Sequence, residues 1–287
     1  MRKKLLSAYG LKFNPFSPEV PVEALHVTEA IETFCWRFEQ QLFDGGFAGI
    51  VGDPGTGKSV VLRILSQRLS KLRDVVVGVL TRPQCSTGDF YRELGHLFGV
   101  KLSPHNRFAG AKVLRETWLE HIDTSTYRPV LLVDEAQEMR PSVLSEIRLL
   151  SSMQLDSRAL LTVVLAGDQR LVESFRSPEL LPIASRVRTR LRLDYADVET
   201  LRAALDNVLE HAGNSSLMSD ALCHTLVEHA AGNYRSMMSM ADDLLHIAFK
   251  RKVKQIDETL YLELYGRRPA TPPKRARRTR SRTTTRR

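Results

Sequence analysis

Gly52, Asp53, Pro54, Gly55, Thr56, Gly57, Lys58 and Ser59 have the spacing of a backbone cradle for a phosphate chain. The glycines let the main chain curl so that successive N–H groups converge on phosphate oxygens, and a following helix would add the positive end of its dipole. In such a loop Lys58 reaches the β- and γ-phosphates, the Ser59 hydroxyl ligands Mg²⁺, and Val60 ends the nucleotide-binding run. A second reactive group lies 75 residues beyond Ser59, where the apolar run ending at Val133 is followed by Asp134 and Glu135. Asp134 is placed to hold Mg²⁺ through its water shell, and Glu135 to accept a proton from an attacking water or to orient it. Two adjacent carboxylates repel unless a cation lies between them. Alone, the first motif could be a glycine-rich turn and the second a solvated strand end. Together they predict an NTPase site with Mg²⁺ as a cofactor, and the adjacent acid suggests hydrolysis over mere binding.

These groups need strands that end on one edge. Residues 47–51, 74–80, 129–133 and 160–166 are short apolar runs rich in β-branched residues, and 186–195 alternates Arg with apolar residues as an edge strand would. Helical spacing occupies the intervals at 28–43, 59–72, 87–98 and about 110–122. Strands apolar throughout and separated by helices imply a parallel sheet covered on both faces. The expectation is an α/β fold, a five-stranded parallel sheet sandwiched by helices over residues 28–196. After Asp197 three amphipathic helices and a shorter one near 257–264 predict a smaller all-helical lid, 197–266. Residues 1–27 form an N-terminal extension whose docking partner the sequence leaves open.

From 267 to 287, ten of 21 residues are Lys or Arg and none is acidic. Such a segment cannot bury enough apolar surface to order itself, and it predicts a disordered basic tail. Removing those ten cations from the total of 42 leaves 32 against 33 acids, so the net charge of +9 is a property of the tail. Charge confined to one end suggests an arm for a polyanion. Three unpatterned cysteines, Cys35, Cys85 and Cys223, argue for a reducing compartment. No signal peptide is read, and no run approaches the ~18 apolar residues of a membrane span. A soluble, cytoplasmic protein without a membrane partner is expected. His224 and His229 are five apart and do not share a helix face, so they suggest no metal site.

The segments "YGLKFNPF", "GDPGTGKS", "LLVDEAQ", "VVLAGDQRL", "ASRVRTRLRL" and "GNYRSMMSMADDLLHIA" occur in that order between residue 9 and about 250. Together they resemble the AAA+ ATPases related to ExeA, a group that shades into the transposition ATPases of the TnsC, TniB, MuB and IstB kind. The resemblance implies a P-loop AAA+ core and further roles by position. Asp168 stands where such ATPases keep a polar sensor-1 residue; relatives more often have an uncharged side chain there, and Gln169 is the alternative. Arg186 stands where an arginine finger would reach a neighbouring subunit's nucleotide, with Arg188 as the alternative. Arg235 matches the sensor-2 arginine of the lid, although Tyr234 replaces the proline more usual before it.

The resemblance also implies a client. Secretion-type members carry a membrane span and a wall-binding region, neither of which is read in this sequence. Transposition-type members oligomerise with ATP on duplex DNA, in a ring or helical filament, and engage a transposase. The expected partners are therefore double-stranded DNA, a transposase and further copies of the chain. The cationic tail, including Arg275, Arg277, Arg278 and Arg280, would supply phosphate contacts independent of base sequence. Lys101, Arg107 and Lys112 are candidate DNA contacts, because segments after the second strand face the channel of DNA-encircling ATPases. A secretion- or envelope-associated ATPase, or a nucleotide-gated scaffold or helicase loader, is the alternative.

Overall fold

The computed structural model describes residues 2–100, 107–125, 127–153 and 158–266. The apolar runs form the strands β1 (Gly46–Gly52), β2 (Val75–Leu80), β3 (Arg128–Val133), β4 (Thr162–Gly167) and β5 (Val187–Leu193). They pair in parallel in the order β2-β3-β4-β1-β5, so β4 is inserted between β1 and β3. Period-two alternation divides the strand residues between two cores. Ala48, Ile50, Val130, Leu132, Val164 and Ala166 pack under α2 (Glu29–Gln41) and α3 (Lys58–Leu69). Phe47, Leu131, Val133, Val163 and Leu165 face α4 (Thr87–Leu97), α5 (Arg107–Ser125) and α6 (Pro141–Ser151). Both faces are covered, which is why these strands contain so few polar residues. On the edge strand β5, Arg188, Arg190 and Arg192 are exposed while Thr189 and Leu191 are buried.

Three helices have no counterpart in the sequence reading: α6 and the short α7 (Gln169–Ser174) and α8 (Leu181–Ala184). α6 begins at a proline, which fits the first helical position, and buries Val143, Leu144, Ile147 and Leu150 on one side. A fourth, α1 (Arg2–Tyr9), lies in the N-terminal extension. Lys101 and the tail, with Arg275, Arg277, Arg278 and Arg280, lie outside the described residues.

The lid consists of α9 (Val198–Ala212), α10 (Asp220–Ala230), α11 (Tyr234–Arg251) and α12 (Glu258–Tyr265). Asp197, Ser219, Asn233 and Asp257 cap them, each accepting a backbone N–H three residues on. Met237 and Leu244 are fully buried in its core, as is the neighbourhood of Cys223. His224 pairs with Glu228, and His229 packs on Tyr261. Among the described residues no helix is long and apolar enough to cross a membrane.

The extension docks on its own chain, on the lid and the core together. Leu5, Tyr9, Leu11 and Phe16 join the lid's apolar cluster, and Tyr9 donates to the Val253 carbonyl at 2.9 Å. Asn14 donates to Asp242 at 2.8 Å, and Asn207 of α9 to the Ala24 carbonyl at 2.8 Å. On the core side Arg63 of α3 donates to the carbonyls of Pro18, at 3.0 Å, and Val20. The segment is a strap between the lid and the helix that starts with Lys58. Truncating a buried aromatic in it should therefore unfold more than a local loop. Phe16→Ala is expected to lower stability by about 3–5 kcal/mol in denaturant titration. Phe43→Ala, at a side chain 73% exposed, should stay within about 0.5 kcal/mol of the parent.

Candidate functional site

The loop between β1 and α3 has left-handed backbone at Gly55 (φ 87°) and Gly57 (φ 105°), the latter capping α3. Lys58, the first residue of α3, is 5% exposed and its ammonium donates to the carbonyls of Gly52 (2.8 Å) and Asp53 (3.1 Å). The Thr56 hydroxyl donates to the Asp53 carbonyl at 2.8 Å, closing the turn through Pro54. The Lys58 charge is thereby held against the loop at the start of a helix, an arrangement suited to an oligophosphate.

Across the ends of three adjacent strands, the Ser59 hydroxyl donates to Asp134 Oδ2 at 2.6 Å. The other Asp134 oxygen accepts the Glu135 N–H at 2.9 Å. A hydroxyl and a carboxylate in contact beside a phosphate cradle are the hard oxygen donors that Mg²⁺ takes, so the residues fit the ion. Glu135 adopts the left-handed region at φ 50°, uncommon for a side chain of this kind. Its carboxylate accepts a hydrogen bond from Gln137 Nε2. Lys58, Ser59, Asp134 and Glu135 are thus brought to one edge.

Asp168 follows β4 on the same edge, where it caps α7 by accepting the Arg170 N–H at 2.9 Å. The Arg170 guanidinium also bonds both Asp168 oxygens and reaches Glu138 at 2.9 Å. Burial pushes the Asp168 carboxyl up, but the Arg170 hydrogen bonds outweigh it, with the Lys58 charge adding, and hold it below the usual carboxylate range. Gln169 is exposed on the first turn of α7.

The arginines divide by position. Arg186 precedes β5 and donates to the Pro182 carbonyl at 2.6 Å; Arg188 lies 3.7 Å from Asp44. Val187 is in register with Phe47, and Leu193 with Gly52, so both arginines lie toward the end of the sheet remote from the loop. Six residues at roughly 3.3 Å each separate the two ends by about 20 Å. Neither arginine reaches the loop of its own chain. Arg235 lies on the first turn of α11, exposed, and among the described residues it has no hydrogen-bond or ion-pair partner. Lys112 is exposed on α5, 3.7 Å from Glu116; Arg107 opens that helix.

Arg170, Gln137 and Asn233 escaped the sequence reading. Gln137 lies in the strand-end motif itself. Asn233, in "GNYRS", caps α11 and also donates from Nδ2 to the Pro54 carbonyl at 2.9 Å. A Cβ on Gly55 would come within 2.2 Å of Asn233 Oδ1, so the lid seats directly on the loop. The legible signal was an Asn at a helix start; its second partner, 179 positions earlier, follows only from the fold.

Residues 40–175 match a family model described as an AAA domain. Over 198 residues the chain is 32% identical to general secretion pathway protein A of Aeromonas hydrophila, a match covering 67% of this chain and 35% of that protein. The chain thus spans about a third of that relative's length. The Aeropyrum pernix ORC2 protein, solved as ADPNP–ADP complexes, superposes with a TM-score of 0.70 at 14% identity, covering 87% of this chain and 70% of that one. The Aeropyrum pernix ORC1 protein in complex with DNA gives 0.64 at 18% identity, covering 86% and 67%. At these identities the likeness is one of fold.

The seating of Asn233 on the loop can be separated from its capping. Asn233→Asp keeps the cap acceptor and replaces the donor to Pro54 with a negative charge beside the phosphate cradle. ATP affinity, read by titration of a fluorescent ATP analogue, should fall by on the order of tenfold. The melting temperature should change little, because the cap is retained.

Proposed function

We propose that this chain, an ATPase of the AAA+ class related to general secretion pathway protein A, uses ATP to govern its own assembly on duplex DNA. In this reading Gly52 to Val60 cradle the phosphates, and the Lys58 ammonium moves from the Gly52 and Asp53 carbonyls to phosphate oxygens. Ser59 and Asp134 would hold Mg²⁺, which when bound neutralises phosphate charge. Glu135 orients the attacking water and takes its proton. Arg235, two residues from the Asn233 contact with the loop, lets the lid sense the phosphates. Arg186 or Arg188 serves the nucleotide of a neighbouring copy, since neither reaches its own. Asp168 or Gln169 responds at the end of β4.

The observation that carries the DNA reading is the charge distribution, a nearly neutral body with ten cations in residues 267–287. The DNA complex of the ORC1 neighbour supports it at the level of fold. On this reading the assembly marks target DNA and recruits or activates a transposase. A secretion-associated role is the second reading, favoured by the 32% identity to general secretion pathway protein A.

Fluorescence anisotropy on labelled duplex DNA tests the proposal, with ATP, ADP or no nucleotide, in the full chain and a form ending at Gly266. Ten engaged charges would give a log–log salt slope near −9, about −0.9 per contact. A flexible arm engages fewer, so tail removal should weaken ATP-dependent binding without abolishing it. Lys58→Ala should remove the nucleotide dependence. Glu135→Gln should still bind ATP, with turnover slower by about 10²–10⁴. DNA binding carried by the tail alone and indifferent to nucleotide would overturn the reading and move the secretion role to first place.

A further inference from the structure

Gln137 stands between the two halves of the site and uses both ends of its amide. Its Nε2 donates to Glu135 Oε2, and its Oε1 accepts the Asp168 N–H at 3.2 Å. The side chain therefore joins the turn after β3 to the first residue after β4. A Cβ on Gly167 would lie 2.7 Å from Gln137 Oε1, so the end of β4 leaves room for this amide that any other residue would fill. On the outer side Arg170 makes a parallel tie, from Asp168 to Glu138. Glu135 itself keeps a left-handed backbone, a region non-glycine residues hold only when their surroundings impose it.

We infer that Gln137 is a positioning residue, which holds the Glu135 carboxylate and ties its placement to the end of β4. The inference rests on the ATPase reading of the site and adds a residue that reading does not use. Through Gln137 a displacement of the Asp168 turn is passed to the general base, while the Asp168 carboxylate stays engaged by Arg170. The amide suits this task because it offers a donor to a carboxylate and an acceptor to a backbone N–H at once. Neither an acid nor an apolar side chain does both.

Two variants of the full chain test it. Gln137→Met keeps the side-chain length and loses both bonds. Gln137→Glu keeps an acceptor for the Asp168 N–H and loses the donor to Glu135. With MgATP, each should lower kcat by on the order of tenfold, with KM and the affinity for a fluorescent ATP analogue within about twofold of the parent. An unchanged kcat in Gln137→Met would overturn the inference, as would an effect confined to KM. Should Gln137→Met melt below the assay temperature, Gln137→Glu decides by the same criteria. A parent chain that binds MgATP without turning it over would sink the hydrolytic reading itself, and the inference with it.

Discussion

The site depends on one short contact, the hydrogen bond from Ser59 to Asp134 at 2.6 Å. The two residues are 75 positions apart and follow strands that are not neighbours, since β4 runs between β1 and β3. They can meet only if β1 and β3 run the same way and end at a common level. The register supplies this: Val51 pairs with Gly167, and Val133 with Leu165. Reversing β1 or β3 would carry one of these groups to the opposite edge. Helical crossovers make the strands parallel and cover both faces of the sheet, and the packing of Ile50, Leu132 and Val164 under those helices holds the strand ends that bring a hydroxyl to a carboxylate.

Inserting β4 also has a chemical result. Its end brings Gly167 and Asp168 beside the phosphate loop on one flank and the acid pair on the other. Polar groups at that turn then lie close enough to feel Lys58 and to bond Gln137. The other flank of β1 is occupied by β5, whose arginines run from the remote end of the sheet, at Arg186 and Arg188, to the level of Val51, at Arg192. One sheet thus separates the charges it carries: phosphate-directed groups at the strand ends, and the Arg186–Arg192 series along an open edge.

Most of the layout was legible because local pattern and global fold agree. All five strands were read within a few residues, as were α2 to α5 of the sheet layer and the four helices of the lid, since the strands are apolar or alternate with period two and the helices repeat apolar residues at helical spacing. The loop and the acid pair were legible because their spacing encodes backbone geometry. α1 was not, since its buried face is only Leu5 and Tyr9, too few positions to show a period. Gln137 and Asn233 look like ordinary polar residues in sequence. Their significance comes from partners on other elements, and a single chain read in one dimension carries no mark of them.

The strap has a consequence for how the molecule is made. Tyr9 bonds Val253, Asn14 bonds Asp242 and Asn207 bonds Ala24, at separations of 244, 228 and 183 positions. During synthesis the strap emerges long before α9 and α11 exist to receive it. Its apolar side chains, Leu11 and Phe16 among them, have no native cover until then. The sheet layer can consolidate first, from nearer contacts. Closure of the lid onto the strap carries the largest loop entropy and belongs to the last step of folding. A nascent chain stalled before that step leaves the apolar side chains of the strap without their cover.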